Sequence, residues 1–491
     1  MKRIFLSSFA ALVAGLCLRL LFVLKFPATS DDTVLYEQMA TNWLKHGVYA
    51  MEVNGAIQPV DLRMPGYPAY LALVYWLSGK TGDAAHLLVM LGQVAADLIG
   101  CVFVVFLAGL LLVLGDEHAR QGPVLLTAWW LAMLCPFTAN YDAVALTEAF
   151  AITLTALALV CLTGLSSSAH ELVYPVKLRP WEWPIGTGPW SAVTGFAVGF
   201  GTLFRPETPL LLLAAWITTA MQLVRRGHAR AWARIVVYSG IACIVPLLPW
   251  AVRNFMTLHE VQFLAPKNSN LPGELVPYGF MAWEKTWLFR MKDCYQAPWK
   301  LNSESIDADT LPARAFDSPG EKQRVAAILE QYNNELTLTA EEDAAFAQLA
   351  RERTARHPLR TYVWLPLLRA AILWFTPRIE LLPISGHVFP LAQMREDDPV
   401  DQELTSGLFL LNILYVALGI WGAIKLWRWS VAARSGVSLL LLYIVMRTAF
   451  LTTLETPEPR YVLECFPALI ALGAVALSGR KYKTADVTPP G

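Results

Sequence analysis

The run RPETPLLLLAAWITTAMQLVRRGHARAWARIVVYSGIACIVPLLPWAVR, residues 205–253, decides the fold. Residues 208–224 and 235–252 contain no Asp, Glu, Lys or Arg, and the link between them, RRGHARAWAR, carries four arginines. A helix of about 20 apolar residues spans the ~30 Å hydrocarbon layer of a bilayer, and within it the backbone must satisfy its own hydrogen bonds. Two such runs joined by a short basic link read as a membrane hairpin. Lys and Arg collect in short cytoplasmic loops, so 225–234 marks the cytoplasmic side, and Arg205 and Arg253 mark the opposite one.

The same texture extends outward. Residues 123–141, 183–204 and 405–424 are also free of Asp, Glu, Lys and Arg. Only 16% of the 491 residues are charged and 55% are hydrophobic, against roughly 25% charged in soluble domains. The expected fold is an all-α polytopic membrane protein with about ten spans, near 4–24, 85–114, 123–140, 143–165, 189–204, 207–224, 235–252, 405–424, 436–454 and 461–479. With ten spans, Lys2-Arg3, 225–234, the stretch with Lys425, Arg428 and Arg434, and the tail with Arg480, Lys481 and Lys483 all fall on the cytoplasmic side. The apolar stretch 361–376 contains Pro366 and Arg369 and reads as an interfacial helix. Counted as a span or a re-entrant pair it would raise the total to 11 or 12. The run from Met1 to Leu24 resembles a signal peptide but is long and contains Arg19, so it reads as a retained first span.

Three parts follow: an N-terminal transmembrane module, 1–252, including an outer loop at 25–84; a large, mostly polar outer segment, 253–404; and a C-terminal transmembrane module, 405–491. Both outer segments carry short amphipathic helices. In DDTVLYEQMATNWLKHG, Tyr36, Met39, Ala40, Trp43 and Leu44 recur at helical spacing. In TAEEDAAFAQLARERTARHP, Thr339 and Glu342 form a capping box. Formal net charge is zero, which gives no reason to expect a nucleic acid. The seven cysteines are scattered, with no CxxC pair, so neither a disulfide framework nor a zinc site is expected.

Ionisable groups are costly in a bilayer and need a partner or a function. On this topology they gather near the outer surface: Arg205, Arg253, Arg447, Arg460, Glu148 and Glu464. Guanidinium groups form paired, charge-assisted hydrogen bonds with phosphate, so converging arginines at this depth point to a lipid-linked phosphate. Arg–Glu pairs that hold helices together are the plainer reading, strongest for Arg447 and Glu464. Asp97 alone lies near the middle of a span, with structural pairing and function equally open. Asp31 and Asp32 stand directly before the helix carrying Tyr36, where an Asp is suited both to capping and to facing a site.

Six motifs in order, DDTVLYEQMATNWLKHGVYA, RMPGYPAYLAL, ALTEAF, LFRPE, PWAVRN and PEPRYVLECFPALIAL, resemble those of the C-type membrane glycosyltransferases. This group includes the protein O-mannosyltransferases and the lipid A aminoarabinose transferase. The resemblance implies that Asp32, four residues before Tyr36, matches the catalytic aspartate, with Asp31 the alternative in the neighbouring register. It also implies a polyprenyl-phosphate sugar donor, inversion at the anomeric carbon and, in some members, a divalent metal. No metal-ligand spacing is visible here, and no metal or other cofactor is expected.

Mechanistically, Asp32 accepts the acceptor hydroxyl's proton, while arginines meet the charge growing on the departing phosphate. Arg205, Arg253 and Arg460 are the first choices for that role, with Arg63 and Arg447 behind them. Tyr36 and Tyr461 orient sugar or phosphate, and Glu148 supports the Asp or an Arg. The acceptor is a hydroxyl of a lipid, glycan or protein, chosen by the large outer segment. The alternatives are a glycan ligase using a lipid-linked oligosaccharide and a secondary transporter. A transporter calls for repeats and broken spans meeting at the midplane, and only Asp97 favours it. With no retention signal, the expected location is a bacterial inner membrane, termini cytoplasmic.

Overall fold

A computed structural model describes residues 2–115, 121–173, 186–266, 268, 270–271, 273–389, 394 and 397–477. The described residues form a helical, multi-pass bundle, with one two-stranded hairpin, Ala50–Val53 against Ala56–Pro59. Among the described residues, eight helices are long and apolar enough to cross a membrane: Arg3–Lys25, Asp83–Gly115, Gln121–Ala143, Glu148–Glu171, Ala229–Leu258, Pro399–Trp427, Val431–Leu451 and Pro459–Ala476. The other two expected spans are also helices, but shorter, Thr187–Thr202 with 16 residues and Leu210–Leu223 with 14. Arg480, Lys481 and Lys483 lie outside the described residues.

Small residues let these helices approach closely, as membrane helices require when no hydrophobic effect drives them together. Gly195 and Gly199 sit one turn apart in Thr187–Thr202, directly on the carbonyls of Ser239 and Cys243. Gly422 in Pro399–Trp427 rests in the same way on the backbone of Leu472. A side chain at any of the three would collide with backbone rather than with a movable group.

Long-range contacts sort the helix termini into two ends. At one, Ser430 Oγ donates to the Leu114 carbonyl at 2.5 Å, Gln222 to Ser166 at 3.1 Å, and Lys425 Nζ to the carbonyls of Val475 and Ala476. At the other, Ala28 bridges Val144, the Gly66 N–H donates to the Leu203 carbonyl at 2.7 Å, and Arg253 reaches the carbonyls of Tyr49 and Val60. The described residues of the segments 26–82 and 259–398 belong to this second end.

Within the larger segment the helices Tyr278–Glu284, Pro319–Glu335 and Ala340–Arg356 enclose a core of their own around Phe280, Trp283, Trp287, Tyr332 and Phe346. Ala340–Arg356 opens with the expected box: Thr339 Oγ1 accepts from the Glu342 N–H, and Glu342 from the Thr339 N–H. The stretch 361–376 forms a helical run, Arg360–Trp364 and Leu365–Trp374, with both ends held at the second end of the bundle. Arg360 pairs with Asp317 at 2.6 Å, and beyond the helix Arg378 donates to the Pro459 carbonyl at 2.7 Å. Buried Arg369 donates to the carbonyls of Lys285, Leu288 and Thr452, joining the polar segment to the bundle.

In the membrane interior, Asp97 is paired. Arg19, fully buried, donates to its carboxylate at 2.5 and 2.8 Å and lies 3.6 Å from Asp142. The midplane acid that a transporter would need is thus occupied in joining the first span to the Asp83–Gly115 helix. All seven cysteines are free thiols.

Candidate active site

The helix Asp31–His46 starts at Ser30, whose extended backbone (φ −132°, ψ 166°) makes it the cap residue. Neither aspartate therefore caps. Both stand in the first turn, where carboxylates favour the helix dipole. Asp31 is exposed. Asp32, with its side chain 25% exposed, faces two arginines from distant parts of the chain. Arg63 Nη2 donates to Oδ1 at 2.8 Å, and Arg460 Nη2 donates to Oδ2 at 3.0 Å. Burial pushes the Asp32 carboxyl up, but the two guanidiniums outweigh it and hold the group down at about 2.

From Arg460 the network runs inward. Its Nε lies 2.6 Å from Glu458 and 3.6 Å from Glu148. Glu148 Oε1 also accepts from Arg205 Nη2 at 2.5 Å. The Tyr461 ring is flanked by the Arg205 and Arg460 guanidiniums, 5.1 and 5.2 Å from its centroid, and its hydroxyl donates to Glu458 at 2.7 Å. One layer deeper, fully buried Arg447 donates to Glu464 at 2.5 Å, to Glu207 at 3.3 Å and to the Tyr461 carbonyl at 3.0 Å. Among the described residues the connected network holds four arginines, Arg63, Arg205, Arg447 and Arg460, against five carboxylates, Asp32, Glu148, Glu207, Glu458 and Glu464.

Of the residues expected from sequence, the fold gathers Asp32, Arg63, Arg205, Arg447, Arg460, Glu148 and Tyr461 into this one network. Tyr36, a turn along from Asp32, packs edge-on against Tyr67 with centroids 5.1 Å apart; burial, then the Asp32 charge, pushes its hydroxyl pKa up. Arg253 stands apart. It donates to the carbonyls of Tyr49 (2.5 Å) and Val60 (2.8 Å), clamping the hairpin, and its guanidinium lies over Tyr49 and Trp250. Tyr49 in turn donates to the Arg63 carbonyl at 2.9 Å. Arg253 thereby supports the strand end from which Arg63 reaches Asp32.

Glu207 and Glu458 had escaped notice in the sequence. The signal was present as a mirrored pair, Arg205-Pro206-Glu207 and Glu458-Pro459-Arg460, in which proline separates each arginine from an acid. Among the described residues no three His, Cys, Asp or Glu side chains converge as a metal cage would require, and the acids of the network are taken up by guanidinium groups.

No family model matches the chain, and no curated protein matches it. Among solved structures it is similar to the Archaeoglobus fulgidus oligosaccharyltransferase tethered with an acceptor peptide, at 11% identity and a TM-score of 0.46, covering 96% of this chain. This chain spans about half, 49%, of that protein's length. It is also similar to ArnT from Cupriavidus metallidurans, apo (15% identity, TM-score 0.33) and bound to undecaprenyl phosphate (13%, 0.35), in each case over 97% of this chain and 78% of the other. All three TM-scores lie below 0.5, and the functional reading rests on the geometry of the network around Asp32.

Proposed function

We propose that the protein is an inverting glycosyltransferase that takes a sugar from a polyprenyl-phosphate donor and passes it to a hydroxyl of a lipid, glycan or protein at the outer face of the membrane. The observation that carries this reading is the arginine network closed around one half-buried carboxylate, Asp32, at the end of an apolar bundle. Arginine forks are suited to phosphate oxygens, and their position where spans end suits a phosphate whose tail stays in the bilayer. In the reaction the acceptor oxygen bonds to the anomeric carbon and its proton passes to Asp32. The bond from that carbon to the phosphate oxygen breaks, and the phosphate leaves with the electron pair, its added charge met by Arg460, Arg63 and Arg205.

The test supplies polyprenyl-phosphate sugars labelled in the sugar to membranes from producing cells, which provide the acceptor. Wild type should move label into an acceptor fraction and release polyprenyl phosphate. Label that remains on the carrier with every sugar tried would contradict the reading. Sidedness has its own test. Reporter fusions at Gly227, in the basic link, and at Gly320, in the polar segment, should give opposite signals, the former cytoplasmic. Equal signals would remove the outer-face assignment.

Two arginines, one in the network and one outside it, separate binding from support. Arg460→Ala should weaken polyprenyl-phosphate binding by about 10- to 100-fold, the equivalent of one charged hydrogen bond of about 1.5–3 kcal/mol. Arg253→Ala, which loosens the hairpin instead, should change that binding by only a few-fold while lowering the melting temperature. Binding titrations and melting curves on the same preparations check both, and a greater binding loss for Arg253→Ala would reverse the roles.

A further inference from the structure

The network contains a conflict. Arg63 and Arg460 are the arginines closest to Asp32, and both are already spent on it. A carboxylate so held is a poor base, since its charge is satisfied by two charge-assisted hydrogen bonds. Among the described residues the ion pairs of the network are already balanced towards the acids, with five carboxylates facing four arginines. An added anion is therefore accommodated only if a carboxylate gives way. Asp32 is the one suited to do so. Its side chain is 25% exposed, whereas those of Glu148, Glu458 and Glu464 are 3%, 10% and 4% exposed.

Resting on the donor assignment above, we propose that the donor's phosphate displaces the Asp32 carboxylate from Arg63 and Arg460, so that Asp32 becomes a competent base only once the donor is bound. The exchange balances electrostatically: a phosphodiester with one negative charge takes over the guanidinium contacts of one carboxylate. Glu458 keeps the exchange in register. Its carboxylate forms an ion pair with Arg460, 2.6 Å from Nε, and accepts from the Tyr461 hydroxyl at 2.7 Å, while the Nη2 end of Arg460, the end now on Asp32, changes partners. Glu458 is thus a positioning residue. The consequence is a compulsory order, donor before acceptor, which protects the carrier sugar from a base poised in its absence.

The test measures binding without transfer. Undecaprenyl phosphate carrying no sugar is titrated onto the purified full chain in nanodiscs, as wild type, Asp32→Asn, Asp32→Ser and Asp32→Glu. Removing the competing carboxylate should tighten binding by about 10-fold or more, the scale of a charged hydrogen bond, in the Asn and Ser variants alike. Asp32→Glu, which keeps a competitor, should stay near wild type. Glu458→Gln should weaken binding, with partial recovery in Glu458→Asp. Equal or weaker binding by the Asn and Ser variants would overturn the displacement while leaving the donor assignment standing. No binding by the wild type itself would overturn both. The wild type also answers without any substitution: in difference infrared spectra, adding undecaprenyl phosphate should move a carboxylate band away from its guanidinium-paired position, and an unchanged carboxylate region would count against the exchange.

Discussion

Asp32→Asn should lower sugar transfer by about 10²–10⁴-fold, the usual cost of removing a general base and equivalent to roughly 3–5 kcal/mol of barrier. The amide keeps the shape of the side chain and one acceptor oxygen, so Arg63 and Arg460 retain a neighbour but lose its charge. Loss of turnover should therefore accompany tighter, not weaker, phosphate binding, a combination that misfolding does not produce. Asp31→Asn is the internal control. Asp31 is exposed and the arginines converge on its neighbour, so turnover should stay near wild type, and a collapse there would move the base by one residue. The Asp32 pairing also bears on stability. Its folded pKa, about 2, lies below the ordinary 3.8. Its contribution is thus fully present above 3.8 and is lost as pH falls towards 2.

The second large effect lies in the bundle, far from chemistry. Asp97→Asn together with Asp142→Asn should cost about 3–5 kcal/mol, the range for stranding a buried charge. Arg19 cannot shed its proton, it is fully buried, and its acidic neighbours are Asp97 at 2.5 Å and Asp142 at 3.6 Å. Asp142→Asn alone should cost little, because the shorter pair survives. Asp97→Asn alone should fall between, since Asp142 can close on the arginine. Melting temperatures of the detergent-purified variants give the order. A double variant that melts with the wild type would show that Arg19 finds other acceptors, such as the Gly15 and Met133 carbonyls it already touches. Adding Arg19→Leu to the double variant should restore much of the loss.

These cases mark what the sequence disclosed. Spans were readable because charge-free runs of bilayer length have few other uses, and the capping box at Thr339 because it is written in four consecutive residues. Arg205 and Arg460 stood out because charges at span ends are rare, and Asp31 and Asp32 because they stand directly before the Tyr36 helix, the choice between them resting on the motif resemblance. Pairings across the chain carry no such local mark. Arg19 and Asp97 are 78 residues apart, and Asp32 and Arg460 are 428 apart. The same limit hid the duty of Arg253, since an arginine at a span end looks alike whether it waits for phosphate or clamps a hairpin. Glu207 and Glu458 were overlooked because single acids beside arginines in polar loops are ordinary, and only the fold turns them inward.

The most direct measurement is mass spectrometry of the glycans, glycolipids and polyprenyl-phosphate lipids of the cell envelope, from cells with the gene, without it, and with the Asp32→Asn form in its place. A membrane glycosyltransferase with Asp32 as its base predicts one glycosylated species present only with the wild-type gene. A polyprenyl-phosphate sugar should accumulate in the other two. Envelope and carrier profiles that are identical across all three would contradict it.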